Sequence, residues 1–172
     1  MLKIVFIIAL AVVLFSCNKE KNFSEVPFLR FEGFEQIKNA QGKDSVGILK
    51  LYFTDGDGDL GLRPADTLPP YNAGSLFYYN FIINYYEKRN GLFEKVVIAP
   101  PIPGADTISN NSRIPFLTPQ GQNKALEGSL IMELFTNNPL STYDTIMYDA
   151  YIIDRALNKS NVVKSPELII VK

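Results

Sequence analysis

Apolar and polar residues alternate with a period of two along most of this chain, and clusters of Pro, Gly and Asn interrupt the alternation at short intervals. That pattern puts successive side chains on opposite faces of extended backbone, so it predicts half-buried strands rather than helices. In residues 46–53 it sets Leu49, Leu51 and Phe53 on a core face and Lys50 on the water side. Similar runs at 27–37, 77–87, 92–99, 113–117, 126–135, 145–154 and 166–171 bring the strand count to about eight, and no segment carries a helical period. Between the third and fourth runs stands Lys88-Arg89-Asn90-Gly91. Asn-Gly is the strongest short hairpin signal, because both residues tolerate the positive φ of a type I′ turn. Many short strands joined this way predict an all-β fold, a single antiparallel sandwich of about 7–8 strands.

One stretch narrows the architecture. Tyr151-Ile152-Ile153-Asp154-Arg155-Ala156-Leu157-Asn158 resembles the aspartate-arginine-alanine-x-asparagine hairpin near the end of many bacterial immunoglobulin-like domains. The resemblance implies an immunoglobulin-like or fibronectin-III-like domain over residues 27–172. The cysteine and tryptophan pattern of antibody domains is missing, since the chain has one cysteine and no tryptophan. Architecture alone implies no function.

The single cysteine closes an apolar run. Lys3 precedes Ile4 to Phe15, and Leu14-Phe15-Ser16-Cys17 ends it. Such a run is shorter than the roughly 20 residues of a membrane-spanning helix and matches the h-region of a signal peptide. The last four residues resemble the lipobox of bacterial lipoproteins. That resemblance implies a cleaved leader over 1–16, and diacylglycerol and an N-acyl chain on Cys17. It also implies a tether over 17–26 and a location in the cell envelope, lipid-anchored at the outer membrane. With its only thiol acylated the domain has no disulfide, so its stability must come from a hydrophobic core. A composition of 47% hydrophobic and 20% charged residues can supply one.

Chemistry enters at Phe53-Thr54-Asp55-Gly56-Asp57-Gly58-Asp59-Leu60-Gly61. Three aspartates alternate with glycines, so their carboxylates can converge while the backbone bends, and hard oxygen donors suit calcium. The segment resembles the first half of an EF-hand loop. It departs where Leu60 replaces the turn glycine and where Asp66 stands for the bidentate glutamate, and no helices flank it. It is also similar to an aspartate-rich segment that follows an early strand in lipoproteins of the Bacteroidota. The competing reading is a polar turn, since Asp-Gly pairs turn well without metal. Sandwich topology adds two candidates. If 46–54 is strand B and 145–153 is strand F, Asp55 and Asp154 emerge at one pole. Asp154 and Asn158 then join Asp55, Asp57 and Asp59 as expected metal ligands.

Other classes fit poorly. Without histidine there is no serine-histidine triad and no histidine zinc ligand, and no nucleophile elbow, phosphate-binding loop or dinucleotide fingerprint occurs. A formal net charge of −1 gives no basic footprint for nucleic acid. Tyr78, Ile82 and Tyr86 form a second apolar face on the run 77–87. This face serves either as a stacking platform for a glycan or as a surface covered by a loop, for which 62–74 and 100–111 are candidates. The expected function is a non-enzymatic envelope lipoprotein that binds or scaffolds another envelope component, an envelope protein or a glycan. A glycan-binding accessory role through these tyrosines is the alternative.

Overall fold

The computed structural model describes residues 22–97, 109–117 and 124–172. Cys17, the expected leader over 1–16 and part of the expected tether over 17–26 lie outside these residues. Among the described residues eight strands form: β1 (Phe28–Lys38), β2 (Asp44–Asp55), β3 (Phe81–Arg89), β4 (Leu92–Lys95), β5 (Leu126–Phe135), β6 (Thr145–Ile152), β7 (Val163–Lys164) and β8 (Leu168–Ile169). The described residues contain no helix. One sheet has the order β1-β2-β5 and the other β4-β3-β6-β7, with β8 also paired to β6. Every pairing between strands is antiparallel. With β1, β2 and β5 in places A, B and E, and β3, β6 and β7 in places C, F and G, the order is that of an immunoglobulin-like β-sandwich, and no strand takes place D among the described residues.

The alternation read in the sequence sets the core. Leu49, Leu51 and Phe53 of β2 face Phe81, Ile83 and Tyr85 of β3 and Ile146, Tyr148 and Ile152 of β6 in one buried cluster. Burying a side chain of this size contributes about 1.5–3 kcal/mol, which explains why the period of two overrides local irregularity. Phe34 of β1 stacks on Tyr148 with ring centroids 5.6 Å apart, tying the two sheets together. At the hairpin, Asn90 and Gly91 take φ of 50° and 84° as a type I′ turn requires, and Arg89 pairs with Leu92.

Four expected strands differ. The run 92–99 is strand only over Leu92–Lys95, and its last residues, 98–99, lie outside the described residues. Residues 113–117 make only isolated bridges, Pro115 to Leu62, with Ser112 to Phe81 just before them. Pro115 has no amide hydrogen to continue a ladder. Residues 77–80 are turn rather than strand, because the Asn80 side chain accepts from the Ile114 amide at 2.7 Å and β3 starts only at Phe81. Of the last run, 166–171, only Leu168–Ile169 (β8) is strand, and the short β7 at Val163–Lys164 precedes it on the other side of Pro166. Ser165 bridges the gap, its amide donating to the Tyr148 carbonyl at 2.9 Å and its hydroxyl accepting from the Tyr148 amide at 3.0 Å.

Strand β2 runs from Asp44 at one pole to Asp55 at the other, a span of about 36 Å at the usual rise per residue. Both poles carry polar clusters.

Candidate metal centre

Asp55 ends β2 on the same face as Leu49, Leu51 and Phe53, so strand parity drives its carboxylate into the end of the core, where it is 0% exposed. The chain then turns sharply. Gly58 and Gly61 have φ of 70° and 103°, the left-handed region that glycine reaches without strain. Leu60 is fully buried and anchors the loop, and its amide donates to Asp55 Oδ2 at 2.8 Å. The amide of Leu62 continues to the Ile114 carbonyl at 2.9 Å. Loop conformation and core packing thus fix the aspartates together.

Asp59 Oδ2 accepts from the Ala156 amide at 2.9 Å, which ties this loop to the hairpin after β6. Asp154 is buried there, 2% exposed. Its Oδ1 accepts from the Asn158 amide at 2.7 Å and its Oδ2 from Asn158 Nδ2 at 2.9 Å. The two loops therefore share a pole. Asn158 serves as the partner that holds the Asp154 carboxylate.

Carboxylate oxygens of Asp55, Asp57 and Asp59 lie within 4.8 Å of one another. The Oδ1 atoms of all three are buried and accept no hydrogen bond. Such atoms are costly, about 1–3 kcal/mol each and more when charged, so three together call for a positive partner. Burial, with Asp57 and Asp59 adding repulsion, pushes the Asp55 carboxyl up to about 7. Burial also raises Asp59, aided by the charges of Asp154 and Asp57, and raises Asp154, despite the bonds from Asn158 and aided by Asp57. Four acids from two loops feel one another.

The nearby cations are engaged elsewhere. Arg155 pairs with Asp66 at 2.5 Å, and Arg63 lies over the Phe116 ring at 4.3 Å. Arg113 donates to the carbonyls of Tyr78 at 2.8 Å and Asp66 at 3.0 Å, which clamps the 62–78 loop over this pole. Among the described residues no Lys or Arg forms an ion pair with Asp55, Asp57 or Asp59. A hard cation would fit this donor set: three carboxylates from one loop with Asp154 beside them.

The tyrosine face divides. Tyr78 lies in the turn beneath Arg113, 5.0 Å from its guanidinium carbon, while Tyr86 donates its hydroxyl to Asp149 at 2.6 Å. Sequence reasoning did not reach Glu87, which is 0% exposed inside β3. Burial pushes its carboxyl up, but hydrogen bonds, first from Arg89 at 2.7 Å and then from Asn138 Nδ2 at 2.9 Å, outweigh this and hold it low. Its inward parity was the one available signal.

The chain matches no protein-family model, and neither a curated protein nor a solved structure shows significant similarity to it.

Proposed function

We propose that this chain is a non-enzymatic, lipid-anchored protein of the outer membrane. In this reading its sandwich is locked at one pole by a calcium ion and binds another envelope component with the rest of its surface. The observation that carries the metal is the set of three buried, unpartnered Oδ1 atoms on Asp55, Asp57 and Asp59. Calcium suits them because it accepts six to eight oxygens in adaptable geometry, whereas magnesium demands a tight octahedron. A hydrolytic role for the same carboxylates is disfavoured. A catalytic acid must touch its substrate, and the Oδ1 atoms of these three carboxylates are sealed from solvent.

The anchor and the metal belong to the same end. The Gly56 amide donates to the Ser24 carbonyl at 2.8 Å, and Ser24 follows Cys17 by only seven residues. At full stretch those residues reach about 25 Å, so a lipid on Cys17 keeps the aspartate pole close to the membrane. The opposite pole then points away from it.

Calcium added to the full chain in detergent raises its melting temperature and gives a saturable heat of binding, because a ligand of the folded state alone stabilises it. Unchanged melting and no heat at millimolar calcium would end the metal reading. The anchor is tested separately, since Cys17→Ala abolishes labelling by palmitate; undiminished label would end that one.

A further inference from the structure

The pole that carries the aspartates also carries a loop with two leucines turned out to solvent. Leu76 and Leu68 are 83% and 75% exposed, more than any other large apolar side chain among the described residues. Both belong to the 62–78 loop, and exposed Tyr79 follows it. A single exposed leucine is ordinary, but two on one loop at one end of a sandwich mark a contact surface.

Consecutive turns fold this segment on itself. The Tyr71 amide donates to the Leu68 carbonyl at 2.9 Å, the Ser75 amide to the Asn72 carbonyl at 3.0 Å and the Ser75 hydroxyl to the Pro70 carbonyl at 2.5 Å. The two leucines therefore flank one compact turn. The hairpin after β6 fastens it on one side, since Tyr71 donates its hydroxyl to the Arg155 carbonyl and Arg155 pairs with Asp66. Arg113 fastens it on the other through the carbonyls of Tyr71 at 3.3 Å and Tyr78 at 2.8 Å. An apolar tip ordered in advance gives up little entropy when it is covered.

The tether decides what covers it. Ser24 is bonded to Gly56 at this pole and follows Cys17 by seven residues. Their reach of about 25 Å is shorter than the span of about 36 Å that β2 makes between the poles, so this end faces the lipid. Half-exposed Val26 and Phe28, where the tether meets β1, add apolar surface at the same end. A leucine entering a bilayer interface leaves water as it would in a core, and tyrosine suits the headgroup level. Because the lipid makes this second contact intramolecular, even a small apolar tip is engaged.

We infer that the 62–78 loop is a membrane-contact element, with Leu68 and Leu76 entering the interfacial region of the phospholipid bilayer that holds the anchor. The inference rests on the reading of Cys17 as lipidated and adds a fixed orientation to it. It does not depend on the metal.

The test uses the full lipid-modified chain in vesicles of phosphatidylcholine, part of which carries a nitroxide quencher near the top of its acyl chains. Ala73→Cys, exposed between the two leucines, takes a fluorophore, since an acylated Cys17 leaves no other thiol. Leu92→Cys takes the same label as a control, because Leu92 is also an exposed leucine but sits on the hairpin of the opposite pole. Flotation with the vesicles reports the anchor, and quenching reports the loop. The label at position 73 is quenched about threefold more than that at 92, or better. Leu68→Asn combined with Leu76→Asn removes most of this difference while the chain still floats and melts as the wild type does. A floating chain with no quenching at 73, or with equal quenching at both positions, overturns the inference. So does quenching at 73 that survives the double asparagine variant. A chain that fails to float sinks the anchor, and this inference with it.

Discussion

Gly56 donates its amide to the carbonyl of Ser24 at 2.8 Å, so the segment before β1 is bonded directly to the aspartate loop. The contact is too close for any side chain. A Cβ on Gly56 would stand 2.3 Å from the Phe23 carbonyl oxygen and 2.6 Å from that of Ser24. Backbone cannot swing aside as a long side chain can. Gly56→Ala therefore costs about 1–3 kcal/mol as overpacking and loosens residues 22–26. Denaturant midpoints measure the first effect, and faster proteolysis near Ser24 measures the second. A variant equal to wild type in both would mean that the segment does not pack on this loop.

The carboxylates differ in what they give to a cation. Asp57→Asn removes one charged donor of the triad and should shrink the calcium-induced rise in melting temperature severalfold. Asp154→Asn acts from the second loop, where its charge already weighs on Asp59, so it should give a smaller loss. Differential scanning fluorimetry against calcium concentration separates the two. An unaltered shift in Asp57→Asn would remove that residue from the site.

The metal-free domain should lose stability as pH rises. Asp55 has an ordinary value of 3.8 and sits at about 7 in the fold, so between these limits the folded chain holds a proton that the unfolded chain has released. This contribution is fully present below about 3.8 and is lost as pH rises through about 7, at up to about 1.4 kcal/mol per unit. Asp59 and Asp154, also raised, add the same sign. Glu87, held low, acts oppositely, its contribution being lost only in more acid solution. Melting temperature in chelator should thus fall from pH 5 to pH 7.5, and calcium should flatten the profile. A flat profile in chelator would contradict the crowding of buried acids.

At the hairpin the cost is one of backbone alone. Nothing lies within 4 Å of a Cβ built on Gly91, yet its φ is 84°. Gly91→Val should cost on the order of 1 kcal/mol or more, since a β-branched side chain resists that conformation. Equilibrium unfolding in urea gives the difference, and an unchanged midpoint would argue against a type I′ turn here.

Much of this protein could be read along its own chain, because a period of two and an Asn-Gly pair act between neighbours. The alternation in β2 sets the core face and, by the same parity, buries Asp55. The triad was legible for that reason: Asp55, Asp57 and Asp59 lie within five residues of one another. Asp154 followed from counting strand directions. Where chain neighbours did not decide, the sequence misled. Residues 77–80 alternate like a strand, yet the Asn80 side chain bonded to Ile114 holds them in a turn. The outward turn of Leu68 and Leu76 was out of reach altogether. The bonds that set it come from Arg113 and from Arg155 in the hairpin after β6. Only the folded sandwich brings these to the 62–78 loop. Glu87 shows the physical reason: a carboxylate inside a strand is a penalty until the arginine and asparagine that satisfy it arrive from elsewhere in the fold.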